Sequence, residues 1–280
     1  MSIPVNKQWF LDNKLVAGSD SSLVDTLHID LGKDKKYIIK DELAMLDIVS
    51  SNLGKRPIYW AVTCREDKLL GLEDYLQLEG LSLQIVPKKV KSSMEAYGII
   101  GSGGVNTDQM YQNIMEKWKW GNFDKQRSFV DRSYMPSLQT MRVSIIRLAR
   151  QLVVEGKKDK AIALVDKYFE VFPQMNFQYD QFTAFMTDIY ALAGEKAKAA
   201  AKIREIADQM EQQFKFYNSL DADFKKGYKQ DSDYTTSTVQ NLIKMAASME
   251  DDALFQELQT KFQPYIGTLP TKGGQPGIQN

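Results

Sequence analysis

The sequence predicts two parts in series: a small α/β unit with a short, mainly parallel sheet, then an all-α array of helical hairpins. Three observations carry this. Up to about residue 90, short apolar runs alternate with helical patterns. Beyond residue 106, apolar residues recur at spacings of three and four, the pattern of helices with one buried stripe. Within that stretch a hairpin pattern repeats, since Gly156 and Gly194, and likewise Ala161 and Ala199, stand 38 residues apart.

The first part reads as strand, helix, strand, helix, strand. Leu27, Ile29 and Leu31 alternate with Thr26, His28 and Asp30, which predicts a half-buried strand with His28 on its polar face. Asp41 and Glu42 suit a helix N-terminus; Leu43, Leu46, Val49 and Leu53 follow at helical spacing, and Gly54 ends the helix. Ile58 to Val62 is apolar on both faces and rich in aromatic and β-branched residues, as in a central strand covered on both sides. Leu72 to Leu78 is expected as a short helix, and Leu81, Leu83 and Ile85 as a strand that stops at Pro87. The boundaries that follow are 1–91 for the α/β domain, 92–106 for a linker, 107–266 for the helical domain and 267–280 for a disordered tail. The linker glycines, Gly98, Gly101, Gly103 and Gly104, do not make a phosphate cradle. Asn106 stands where the dinucleotide pattern needs its third glycine, and no Gly-Lys-Ser/Thr follows.

In the helical part, Thr107-Asp108 caps a helix with Met110, Tyr111, Ile114, Met115 and Trp118 on one stripe. Trp118 is expected in the core and Trp120 in the turn before Gly121, a sugar-stacking platform being the other reading of the pair. Pro136 opens a helix carrying Leu138, Met141, Ile145, Leu148 and Leu152, and Gly156 breaks it. Ala161, Leu164, Val165, Tyr168 and Phe172 line the next helix, which Pro173 stops. Phe182, Met186, Ile189 and Tyr190 precede Gly194, and Ala199, Ile203, Ile206 and Met210 follow it, repeating the design. A third pair, Val239 to Ala246 and Leu254 to Phe262, lacks the glycine turn. The order of residues resembles a tetratricopeptide repeat (TPR), a scaffold whose stacked hairpins leave a concave binding face. Between the second and third pairs, Phe214, Phe216, Tyr217, Leu220, Phe224 and Tyr228 are expected to cover the array, contact with a partner being the alternative.

Composition removes several functions. Thirty-six basic and 36 acidic residues give no net charge, so no basic stripe for nucleic acid is indicated. No apolar run exceeds five residues, so no transmembrane segment is expected in the chain, and the first 30 residues show no signal-peptide pattern. One cysteine, Cys64, and one histidine, His28, exclude an internal disulfide, a cysteine zinc site and a histidine-rich metal site. Neither a cofactor nor a metal is expected.

Several segments together resemble one known family. They are Ile3-Pro4-Val5-Asn6-Lys7, Lys40-Asp41-Glu42-Leu43, Arg56-Pro57-Ile58-Tyr59-Trp60-Ala61-Val62, the run from Leu70 to Leu81, Ile85-Val86-Pro87, Met110-Tyr111 and Trp118-Lys119-Trp120-Gly121-Asn122. Over roughly residues 3 to 265 the chain is similar to the C-terminal soluble region of a multi-spanning membrane protein family of Bacteroidetes-type bacteria. That family is itself similar to protein O-mannosyltransferases of the GT-C type. The resemblance implies a periplasmic region with TPR-like helices, and catalysis in a membrane half that is not part of this chain. It also implies that the chain starts after the region's first strand and helix, leaving the sheet a strand short. No catalytic residue carries over.

The polar residues of the family-specific segments are Arg56, Tyr59, Asp74, Tyr75 and Glu79. Arg56 is expected to pair with Asp74 or Glu79 across a strand–helix junction, a glycan or peptide contact being the alternative. Trp118, Trp120, Tyr190 and Tyr217 are the candidate aromatic or groove contacts. The reading that follows is a non-catalytic periplasmic domain that binds acceptor protein, glycan or a partner, including the membrane half of its parent, through a TPR-like groove. A free-standing cytoplasmic TPR-like adaptor is the alternative. An enzyme using Asp74 and Glu79 as acid and base is disfavoured, because an i, i+5 pair does not share a helix face.

Overall fold

The computed structural model describes residues 1–16, 21–32, 35–90 and 101–272. The expected linker residues up to 100 and the expected tail from 273 lie outside the described residues. The chain combines a small sheet-containing part with a helical array, the α/β plus all-α class expected. It forms two compact units: Met1–Lys119 with Arg132–Gln151, and Trp120–Asp131 with the chain from Leu152 onward.

In the first unit, β1 (Ser2–Pro4) pairs antiparallel with β2 (Thr26–His28), separated in sequence by the short helix α1 (Lys7–Asp12). Leu27 and Ile29 are buried and His28 is exposed, as the alternation predicts. Helix α2 (Lys40–Asn52) buries Leu46 and Val49 but exposes Leu43, and the charged Glu42 takes the buried place beside them. Glu42 is held there by Lys35 at 2.7 Å and by the Ile39 N–H at 3.2 Å, so its burial is compensated.

A second sheet has the order β3 (Tyr59–Ala61), β5 (Ser82–Ile85), β4 (Leu76–Leu78), β6 (Gly104–Val105). The expectation of a mainly parallel sheet is overturned: β3–β5 and β4–β5 are antiparallel, and β4–β6 is parallel. The reason lies in the connection. Glu73–Tyr75 forms a single 3₁₀ turn and Leu76–Leu78 is a strand, so the segment expected as a helix supplies no crossover. A tight hairpin through Gly80 then joins β4 to β5, and short connections enforce antiparallel pairing. The expected central strand is in fact the edge strand β3, with Trp60 buried and Tyr59 and Ala61 exposed. Gly104 and Val105, expected in the linker, form β6.

The sheet is two-faced. Trp60, Leu83, Leu78, Leu76 and Ile85 share one face, all buried. Tyr59, Gln84 and Gln77 are register partners on the other, with Ser82 and Glu79 two residues along on the same side. Helix α3 (Thr107–Gln112) follows β6 and runs on as a π turn over Asn113–Lys117. Asn106, one residue before the expected cap, accepts from the Gln109 N–H. From α4 (Met135–Val154), the Arg147 guanidinium donates to the Ser102 and Gly103 carbonyls at 3.1 and 2.8 Å, fixing the approach to β6. Burial lowers the Arg147 pKa to about 10.

The second unit contains α5 (Lys158–Val171), α6 (Gln181–Ala193), α7 (Lys196–Ser219), α8 (Ala222–Gly227), α9 (Lys229–Ser248) and α10 (Asp252–Phe262). Successive packing of α5 on α6, α6 on α7, α7 on α9 and α9 on α10 buries the stripes read from the sequence, including Leu164, Met186, Ile189, Ala199, Ile203, Ile206, Leu242 and Phe262. Three turns share one hydrogen-bond pattern. Gly156 and Lys157 donate to Val153 and Leu152, Gly194 and Glu195 to Ala191 and Tyr190, and Glu250 and Asp251 to Ala247 and Ala246. Each is a Schellman ending, which needs a left-handed residue. The third pair, which has no glycine there, makes the same turn with Glu250 at φ 58° in the glycine's place. Glu250→Gly is therefore expected to stabilise the chain by about 1 kcal/mol, read as a raised urea midpoint. An unchanged or lowered midpoint contradicts this reading of the turn.

The aromatic stretch does not cover the array as expected. Phe214 is buried, but Phe216, Phe224 and Tyr228 are exposed, with the Phe216 and Tyr228 rings edge to face at 5.4 Å.

Candidate functional site

The first unit holds a cleft of about 350 Å³ lined by Lys14, Leu15, Tyr59, Glu79, Ser82, Asn106, Gln109 and Asn113. Edge strand β3 brings Tyr59, the β4–β5 hairpin brings Glu79 and Ser82, and Asn106, Gln109 and Asn113 enter at spacings of three and four along α3 and its π turn. Hydrogen bonds stitch the two sides together. Asn106 Nδ2 donates to Glu79 Oε1 at 2.9 Å, Asn113 Nδ2 to the Glu79 carbonyl at 2.7 Å, and Gln109 Nε2 to Asn113 Oδ1 at 3.0 Å. The Tyr59 hydroxyl faces Glu79 Oε2 at 3.5 Å.

Burial raises the Glu79 carboxyl above its ordinary 4.5, against the opposing hydrogen bonds from Asn106 and Tyr59. Burial, with the Glu79 charge beside it, likewise raises the Tyr59 phenol. A carboxyl with a raised folded-state pKa binds its proton more tightly folded than unfolded. Its charge therefore costs stability as pH climbs from the ordinary value through the raised one. Glu79→Gln is expected to raise the urea midpoint at neutral pH, the difference closing below pH 4.5. A lower midpoint for the variant at neutral pH contradicts that.

Of the residues named from sequence, the cleft brings together Tyr59 and Glu79. Arg56 is exposed and makes no ion pair among the described residues, so the expected bridge to Asp74 or Glu79 is not formed. Asp74 instead lies 3.9 Å from Lys89. Tyr75 is 1% exposed, and its hydroxyl accepts from the His28 N–H at 3.1 Å, which makes it a core residue joining the sheets. Trp118 is half-buried, its ring 3.4 Å from where a Gly80 Cβ would stand. In the second unit, Trp120 packs edge-on to Phe172 at 5.9 Å. Tyr190 is buried, and its hydroxyl donates to Asp166 at 2.5 Å, tying α6 to α5. Tyr217 is half-buried beside Tyr228, ring centroids 6.0 Å apart.

Sequence reasoning missed Lys14, Leu15, Ser82, Asn106, Gln109 and Asn113. The signal present was the amide series 106, 109, 113 at helical spacing. Among the described residues no group of His, Cys, Asp and Glu is placed to hold a metal. No helix among them is long and apolar enough to cross a membrane.

Residues 1–109 match a family model described as TMEM260-associated domain 2. TMEM260 is a protein O-mannosyltransferase-like protein, so over this stretch the chain is similar to a domain that accompanies a glycosyltransferase-like membrane protein. No curated protein and no solved structure matches the chain.

Proposed function

We propose that this chain is a non-catalytic periplasmic binding domain of a membrane glycosyltransferase-like protein, and that it engages acceptor protein or glycan while sugar transfer takes place elsewhere in the parent. One observation carries the reading: every residue lining the cleft except Asn113 falls within the stretch matched to the TMEM260-associated domain. The cleft also favours binding over catalysis. Glu79 is the one carboxylate in its described lining, and glycoside chemistry ordinarily uses two. Its hydrogen bonds to Asn106 and Tyr59 hold it as a fixed acceptor. The TPR-like hairpins of the second unit serve in this reading as a scaffold for a protein partner.

The test is incubation of the chain with lipid-linked sugar donors, acceptor peptides and chromogenic glycosides. Saturable acceptor binding without turnover is expected; turnover abolished by Glu79→Gln would overturn the proposal. A second reading, a free-standing TPR-like adaptor, is favoured by the exposed Phe216, Phe224, Tyr228 and Tyr234 on α7 to α9. It predicts that substitutions there, and not in the cleft, abolish partner binding.

A further inference from the structure

The chemistry of the cleft narrows what it can hold. Leu15 is its one aliphatic lining residue, so it does not suit a lipid or other apolar ligand. Lys14 and Glu79 bring one charge of each sign, too little positive charge for a phosphate and no cluster for a metal ion. The remaining lining is uncharged and polar: a serine hydroxyl, a phenol and three side-chain amides. Its volume of about 350 Å³ falls within the roughly 300–1,000 Å³ of small-molecule sites.

Hydrogen-bonding capacity is left over there. Among the described residues, the Ser82 hydroxyl, the Gln109 Oε1 and the Lys14 ammonium have no partner. On the same face of the sheet, Gln84 is fully buried with both amide atoms unpaired, and its register neighbour Gln77 is 8% exposed with an unpaired Oε1. Buried amides without partners are costly, and these two extend the polar face of the sheet beyond Ser82 and Glu79 without lining the cleft themselves. Meanwhile Asn106, Asn113 and Gln109 already hold one another and Glu79 in place, so the free Gln109 Oε1 and the Glu79 carboxylate are preorganised.

We infer that this cleft is a carbohydrate subsite for one uncharged sugar residue, whose hydroxyls are read by Ser82, Asn106, Gln109 and Glu79 against the partly exposed Tyr59 ring. Amides and a carboxylate offer the paired donors and acceptors that neighbouring hydroxyls match, and the phenol ring offers a face to the sugar's C–H groups. The inference rests on the binding role proposed above and gives that role a ligand class.

The experiment is saturation-transfer NMR and calorimetric titration of the 280-residue chain with methyl hexosides of gluco, galacto and manno configuration, a glucuronoside and trialanine. One neutral hexoside is expected to bind saturably and better than the glucuronoside. Asn106→Ala and, independently, Gln109→Ala are expected to weaken it by about tenfold or more, while Lys226→Ala in the second unit leaves it unchanged. Circular dichroism confirms that each variant is folded. Absence of binding by every neutral hexoside, or binding indifferent to both cleft variants, overturns the assignment. Trialanine bound in place of sugars, and lost in the same variants, also overturns it but leaves the non-catalytic binding role standing.

Discussion

Gly103→Ala is expected to destabilise the first unit by about 3 kcal/mol or more and to weaken ligand binding in the same variant. Gly103 sits at φ 75°, a left-handed conformation that costs an L-residue about 1–2 kcal/mol by itself. A methyl group there would stand 2.3 Å from the Leu76 carbonyl oxygen and 2.8 Å from its carbon. That obstacle is backbone of β4, which has no rotamer to change. Relief requires β6 to move off β4, and β6 is the lever that carries Asn106 to Glu79. The urea midpoint, followed by tryptophan fluorescence, reads the loss. A variant within 1 kcal/mol of the parent would mean that the β4–β6 pairing does not govern this region.

Phe262→Ala is expected to cost about 3–5 kcal/mol in the second unit. Phe262 is fully buried on α10, with its ring 6.1 Å from that of Phe214 on α7. Removing it leaves a cavity where α10 meets α7, because the surrounding helices relax only in part. Urea denaturation followed by far-ultraviolet circular dichroism measures the effect. A cost under 1 kcal/mol would show that α10 is dispensable to the array.

The helices were legible because their signal is long. Helices such as α5, α6, α7 and α9 repeat an apolar stripe over several turns, and Pro136, Gly156, Pro173 and Gly194 mark their limits. The sheet was not, because its strands are only two to four residues long. Leu76-Gln77-Leu78 fits a helix or a strand equally well, and only its partners β5 and β6 decide. Misplacing that segment was enough to turn an antiparallel sheet into an expected parallel one. Tyr59 and Glu79 stood out through the segments that carry the family resemblance. Ser82 and the amides of α3 did not, since polar residues of a short helix look like a solvated face until the Glu79 hairpin is seen beneath them.

Hydrogen exchange with a glycopeptide bearing a neutral hexose tests whether the chain binds through the first unit's cleft. Slowed exchange at Tyr59–Ala61, at the Glu79–Ser82 hairpin and from Asn106 to Asn113 is predicted at saturating glycopeptide. Protection confined to the helices from Lys158 to Phe262, or none anywhere, would contradict it.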